Sequence, residues 1–260
     1  MIRLLDRLRG RLESAKPAPE FLPGARMYCI GDIHGRFDLL TELHQKILDD
    51  RAGYEGTVHL LYIGDYIDRG PQSREVVDLL LERPLAGFTH TFLRGNHEQA
   101  LLDFLEYPRE ASVWLTFGGR ETLASYGVTV PPRPAIVEMQ ALADKLAEVL
   151  PGTHLAFYRD CLLNWQGGDY HFVHAGIRPG VPLNEQDQDD QLWIREEFTH
   201  SGRDHGAVIV HGHTISPQPE ELPNRIGIDT GAFHTGILTC LVLEGAKRRF
   251  LQTGCRRVGP

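Results

Sequence analysis

The stretch LLYIGDYIDRGP, Leu60–Pro71, decides the fold. It begins as an apolar, strand-forming run and then delivers Asp65, Asp68 and Arg69 among Gly64, Gly70 and Pro71. Charged side chains that follow directly on a buried strand point to a site at that strand's carboxyl end, where α/β sheets hold their ligands. The same grammar occurs twice more: MYCI runs into Gly31-Asp32, and FTHTFLR runs into Gly95-Asn96. Between these runs the periodicity changes to that of helices. Leu39, Leu40, Leu43, Ile47 and Leu48 share one helical face, Pro71 stands as a first-turn proline for SREVVDLLLER, and EQALLDFLEY follows the third run. Strand and helix therefore alternate three times, which predicts an α/β fold.

From Tyr107 to Asp160 the chain reads as helical or irregular, with a helix over VEMQALADKLAEVLPG closed near Gly152 and a PPRP loop before it. Strand-like runs then return with fewer helices between them: YHFV before His174, AVIV before His211, RIGI before Asp229, GILTCLVL and RRFLQT. This half predicts an antiparallel or mixed sheet. A single domain over residues 25–255 is expected, preceded by an arm or short surface helix over residues 1–24.

With 42% hydrophobic residues in 260, the chain can bury a full core. Its net charge of -8 argues against a polyanion partner, so neither nucleic acid nor a membrane surface is expected. Cys29, Cys161, Cys240 and Cys255 form no C-x-x-C pair, which reads as reduced thiols and a cytoplasmic location. No apolar run approaches the ~18 residues of a membrane span.

The polar clusters share one chemistry. Asp32 and His34 lie two apart and project the same way in an extended segment, Asp65 follows the next strand, Asn96 and His97 the third, and His174 and His213 later ones. Oxygen and nitrogen donors without sulfur suit Mn²⁺, Fe or Zn²⁺ in a working site. Six candidate ligands exceed the needs of one ion and suggest two, with a carboxylate between them.

In this order GDIHG, GDYIDRG, GNHE, VHAG and HGHT resemble the metal-dependent phosphoprotein phosphatases of the calcineurin-like metallophosphoesterase superfamily. WLTFGGRETLASYG and DDQLWIREEF are similar to segments of its short bacterial and phage-type members. The resemblance implies a calcineurin-like phosphoesterase fold, a central mixed β-sandwich flanked by helices in four αββα layers. It implies two divalent ions, Mn²⁺ foremost, with Asp65 bridging, Asp32 and His34 on the first, and Asn96, His174 and His213 on the second. His97, oriented by Asp68, would protonate the leaving group, while Arg69, Arg195 and Asn96 would bind phosphate oxygens. A guanidinium fork and an acid of near-neutral pKa are what phosphoryl transfer asks of a protein. Arg178 is a weaker candidate, and His211 could face either the ions or the interior.

The resulting expectation is a phosphatase acting on phosphoserine, phosphothreonine and possibly phosphotyrosine in proteins, by attack of a hydroxide held between the metals and without an obligate regulatory subunit. The alternative is a symmetrical dinucleoside tetraphosphate hydrolase. Relatives with that activity share the metal motifs but typically depart from DRG and GNHE, which this chain retains.

Overall fold

A computed structural model describes residues 17–254. The expected arm lies largely outside the described residues, as does Cys255. The first half runs β1 (Ala25–Ile30), α1 (Phe37–Arg51), β2 (Thr57–Tyr62), α2 (Ser73–Glu82), β3 (Thr89–Phe92) and α3 (Asn96–Glu106). Then come α4 (Gly119–Ser125), α5 (Met139–Val149), α6 (Gly152–Asp160), β4 (Asn164–Gly167) and β5 (Tyr170–Val173). The remainder is α7 (Gln188–Trp193), α8 (Glu196–Thr199), β6 (Val208–His211), β7 (Glu220–Glu221), β8 (Arg225–Gly227), α9 (Ala232–Thr235), β9 (Thr239–Glu244) and β10 (Lys247–Gln252).

Two mixed sheets result, ordered β10-β9-β1-β2-β3 and β4-β5-β6-β8-β7. In the first, β1, β2 and β3 are parallel; in the second, β5, β6 and β8 are. The last two strands return to complete the first sheet, β9 lying antiparallel to β1.

Strand alternation assigns each face its layer. On β1, Met27 and Cys29 turn inward with Leu61, Ile63 and Leu241 to meet Tyr170, Phe172, Val210 and Ile226 of the second sheet. Tyr28 and Ile30 turn outward with Leu60 and Tyr62, against Leu40, Leu43 and Ile47 of α1 and Val76 and Leu80 of α2. The outer face of the second sheet carries Val173 and Ile209 under Ile194 and Phe198. This is the αββα sandwich that the motifs imply. Each fully buried aliphatic side chain contributes about 1.5–3 kcal/mol, so a charge at Leu43 would open the α1 layer. Phe21, N-terminal to the expected domain boundary, is buried in the inter-sheet core and meets His59 edge-on.

Two local expectations change, and one strand was not expected. α2 begins at Ser73, so Pro71 precedes the helix rather than occupying its first turn. Gly152 opens α6 instead of closing α5. β4 is an edge strand with no apolar alternation, specified by its ladder with β5. His59, His90 and His171 sit within strands and serve packing, His90 stacking on Phe92. Among the described residues no helix is long and apolar enough to cross a membrane.

Candidate metal centre

Parallel strands β1, β2, β5 and β6 all end at one rim, and the chain turns sharply there. Among the described residues the non-glycine positions with left-handed backbone are His34 (φ 47°), Asp65 (52°), Asp68 (73°), Arg69 (66°) and His213 (60°). Each such conformation costs about 1–3 kcal/mol and persists only where its surroundings enforce it. All five are among the candidate site residues of the sequence, His34 and Asp65 by their donor chemistry and Asp68, Arg69 and His213 through the family resemblance. The glycines between them permit contacts no side chain could: a Cβ on Gly95 would stand 2.4 Å from the Asp65 nitrogen, and one on Gly70 would meet the His34 carbonyl.

Glu98 ties the turn after β2 to the start of α3. Its buried carboxylate accepts from the backbone N–H of Asp65 (2.9 Å), Tyr66 (2.8 Å) and Gly95 (2.9 Å). The Asp65 side chain is thereby aimed at the histidines. Its Oδ2 lies 3.4 Å from His34 Nε2 and its Oδ1 3.4 Å from His174 Nε2. Asn96 directs its amide oxygen at His174 Nε2 and His213 Nδ1, both at 2.9 Å. Asp32 joins from the end of β1, accepting from the His213 backbone N–H at 3.0 Å.

These contacts identify what the cluster can hold. His34 donates Nδ1–H to the Ile67 carbonyl and His174 donates Nδ1–H to the Ile63 carbonyl, so each ring turns the lone pair of Nε2 toward Asp65. Burial lowers the pKa of both rings, favouring the neutral form. Lone pairs therefore face a carboxylate from two sides. Two ligand atoms each ~2.1 Å from one cation stand roughly 3–3.4 Å apart, so the spacing suits a divalent ion on each side of Asp65. His213 Nε2 is buried without a partner, and its ring pKa falls to about 2, first through burial and then through His174. Burial, then the neighbouring Asp229 and Asp65, push the Asp32 carboxyl well above its usual range. A cation would relieve that repulsion. The residues fit two divalent ions.

Asp68 and His97 form a separate arm. His97 donates Nδ1–H to Asp68 Oδ2 at 2.6 Å, leaving Nε2 toward the cluster, 3.8 Å from Asp65 Oδ2. Burial alone would lower this imidazole's pKa, but Asp65 and Asp68 outweigh it and the net shift is upward. Arg69 donates to His34 Nε2 (2.8 Å) and His97 Nε2 (3.1 Å), with its guanidinium over the Phe233 ring at 4.8 Å. Arg195 is exposed at the rim and donates to the His213 carbonyl at 3.2 Å.

Two weaker candidates lie elsewhere. Arg178 is engaged by Asp190 and Glu197 at the surface. His211 packs edge-on against Phe198, on the far side of its strand, and does not join the ligand cluster. Asp229 stays behind the ligands, accepting from Gly231 N–H, with its carboxyl raised to about 6 by burial and, against that hydrogen bond, by Asp65.

Sequence reading missed the residues that hold Asp68. Trp114 donates Nε1–H to its Oδ2 at 2.7 Å and Thr122 donates to its Oδ1 at 2.5 Å. The only signal was the similarity of WLTFGGRETLASYG to short relatives, which assigns no role. A cleft of about 820 Å³ lies at the other end of the second sheet, beside Asp169, Val208 and Arg225, and shares no residue with the cluster.

Known proteins share this framework. The calcineurin-like phosphoesterase family matches residues 25–234. The asymmetrical bis(5'-nucleosyl)-tetraphosphatase PrpE of Anoxybacillus flavithermus is 27% identical over 234 residues, covering 82% of this chain and 88% of its own. Its namesake from Geobacillus thermodenitrificans is 28% identical over 239 residues with the same coverage. Among solved structures, a candidate diadenosine tetraphosphatase superposes with TM-score 0.61 at 22% identity, over 90% of this chain and 98% of its own. A cold-active protein tyrosine phosphatase gives TM-score 0.55 at 19% identity, over 89% and 81%. The structures carry the fold alone.

The relatives overturn the expectation of a phosphoprotein phosphatase with a phosphoprotein partner, because their names specify a small-molecule tetraphosphatase. The physical reason is that the roles the resemblance implies for these residues all concern the phosphoryl group, which a phosphoserine and a polyphosphate chain have in common. Keeping DRG and GNHE therefore does not select a protein substrate. With the family pattern spanning residues 25–234, this chain belongs to the calcineurin-like phosphoesterases.

Proposed function

We propose that this chain hydrolyses dinucleoside tetraphosphates, cutting the polyphosphate bridge to one side of its midpoint. The relatives' shared name supports the reading, carried over 82% of the chain on the same fold. The symmetrical cleavage expected earlier gives way to the asymmetrical one in that name. Off-centre scission releases a nucleoside monophosphate and a triphosphate; central scission would give two diphosphates.

The proposed cofactors are two divalent ions, Mn²⁺ foremost, with Asp32, His34 and Asp65 holding one and Asp65, Asn96, His174 and His213 the other. When bound, such ions neutralise phosphate oxygens and acidify a water. Arg69 and Arg195 clamp non-bridging oxygens, Arg69 by turning its guanidinium outward from His34 and His97, and Asn96 adds a polar contact. His97 gives its Nε2 proton to the leaving oxygen while Asp68 fixes the ring. A single domain over residues 25–255 is part of the same proposal.

The test is turnover of diadenosine tetraphosphate with Mn²⁺, the products separated by anion exchange. AMP with ATP is expected, and Asp65→Asn should abolish their formation. Two ADP molecules per substrate would overturn the asymmetry. Faster phosphate release from a phosphopeptide, by kcat/KM, would overturn the substrate class.

A further inference from the structure

Beside the ligand cluster, and sharing Arg69 with it, lies a groove whose other walls have no role in the proposed chemistry. It has a volume of about 710 Å³, within the range of small-molecule sites, and its walls include Arg69, Leu115, Phe117, Arg120, Ile215 and Phe233. Phe117 and Ile215 are 42% and 43% exposed, so two large apolar side chains converge on one cleft in water. Phe233 joins the groove to the site: its ring lies beneath the Arg69 guanidinium and edge-on to His34, with centroids 5.5 Å apart. The Arg120 guanidinium is held by the carbonyls of Pro131 and Pro132 at 2.8 and 3.1 Å, leaving it fixed beside the apolar wall. Glu121 also lines the groove and discourages a run of phosphates within it.

An aromatic wall with a fixed cation and one acceptor suits a flat, neutral, hydrogen-bonding group. From this we infer that the groove seats the nucleoside attached to the phosphate under attack, its base against Phe117 and its 5'-phosphate turned to Arg69. This rests on the tetraphosphatase reading and deepens it. Because Arg69 belongs to the groove and also touches His34 and His97, a base in the groove brings the phosphate next to its nucleoside to the ligand residues first. The α-phosphate, rather than the β-phosphate, then meets those residues, and off-centre cleavage follows from where the base is held.

Phe117 is the residue to change, since its exposure lets a truncation leave the core intact. Loss of one stacking side chain costs about 5- to 150-fold in affinity. AMP and ribose 5-phosphate are titrated by calorimetry into the Mn²⁺-loaded wild type, Phe117→Ala and Phe117→Tyr, with each melting temperature checked. AMP is expected to bind the wild type at least tenfold tighter than ribose 5-phosphate, with the preference lost in the alanine variant and restored by tyrosine. In turnover, kcat/KM for diadenosine tetraphosphate relative to tripolyphosphate should fall by a similar factor in Phe117→Ala alone. An unchanged AMP preference in Phe117→Ala would overturn the inference while leaving the tetraphosphatase reading intact. Failure of the wild type to cleave diadenosine tetraphosphate would sink that reading, whereas the calorimetry would still decide the groove. A phosphotyrosine peptide that lost as much affinity as AMP on Phe117→Ala would place a peptide there instead and overturn it.

Discussion

His174 turns the Nε2 lone pair toward Asp65 Oδ1 at 3.4 Å, with no proton available to join them because Nδ1–H is committed to the Ile63 carbonyl. Two acceptors held face to face in a buried site repel, and a cation between them would remove that cost. Metal is therefore expected to stabilise the fold. Saturating Mn²⁺ should raise the melting temperature and excess chelator reverse it; at 100 times Kd the gain is about 2.7 kcal/mol. Asn96→Ala should shrink that shift. A melting temperature indifferent to Mn²⁺ and chelator would show that the cluster binds no ion.

Asp32 makes the complementary prediction. Its carboxylate is buried beside Asp229 and Asp65, and the His213 backbone N–H and the Arg69 charge offset that repulsion only in part. Asp32→Asn removes that repulsion and one metal ligand together. The metal-free variant should melt higher than metal-free wild type, by about 2–4 °C per kcal/mol of relieved repulsion, and hydrolysis should be lost. Thermal melts in chelator, paired with turnover in Mn²⁺, check both halves.

Trp114 and Thr122 should act through the acid. Trp114→Phe deletes the N–H that holds Asp68 Oδ2 and leaves the buried aromatic volume nearly filled. A properly oriented general acid contributes about 10²–10⁴-fold, and its value rises with the leaving group's basicity. His97→Ala should lose that factor on an alkyl phosphate and far less on p-nitrophenyl phosphate, whose leaving group needs no proton. Trp114→Phe should show the same pattern at reduced size. Equal losses on both substrates would assign these residues to folding rather than to orienting His97.

How far the sequence disclosed this molecule follows from where each constraint is encoded. The cluster of candidate ligands was legible because cation chemistry tolerates few residue types, and because each candidate comes shortly after an apolar, strand-forming run. The left-handed backbone at Asp65 and His213 makes the same point in geometry. Trp114 and Thr122 reach Asp68 from 46 and 54 residues away, and nothing local in the chain announces such a contact. β4 was invisible because its residues are specified by a partner strand rather than by alternation. The substrate class was misread for a different reason: the motifs describe the phosphoryl group, whereas specificity belongs to walls such as Phe117 and Ile215, whose spacing in sequence carries no pattern.

His171 lies in β5 with both ring nitrogens buried and unpartnered, and burial lowers its pKa to about 4. The unfolded chain, with an ordinary histidine pKa near 6.5, takes up a proton first as pH falls. Stability from the neutral ring is thus fully present above about pH 6.5 and is lost progressively as pH falls toward 4. His44, lowered to about 4 by burial and then by His90, adds in the same direction. The loss at pH 5 is about 1–2 kcal/mol for each ring. His171→Phe removes one contribution and keeps a flat ring at a buried position of the strand. In chelator, so that ligand protonation does not enter through metal loss, its melting temperature should fall less than the wild type's between pH 7 and pH 5. An identical fall in the two proteins would mean that His171 finds a partner in solution and does not drive the acid sensitivity.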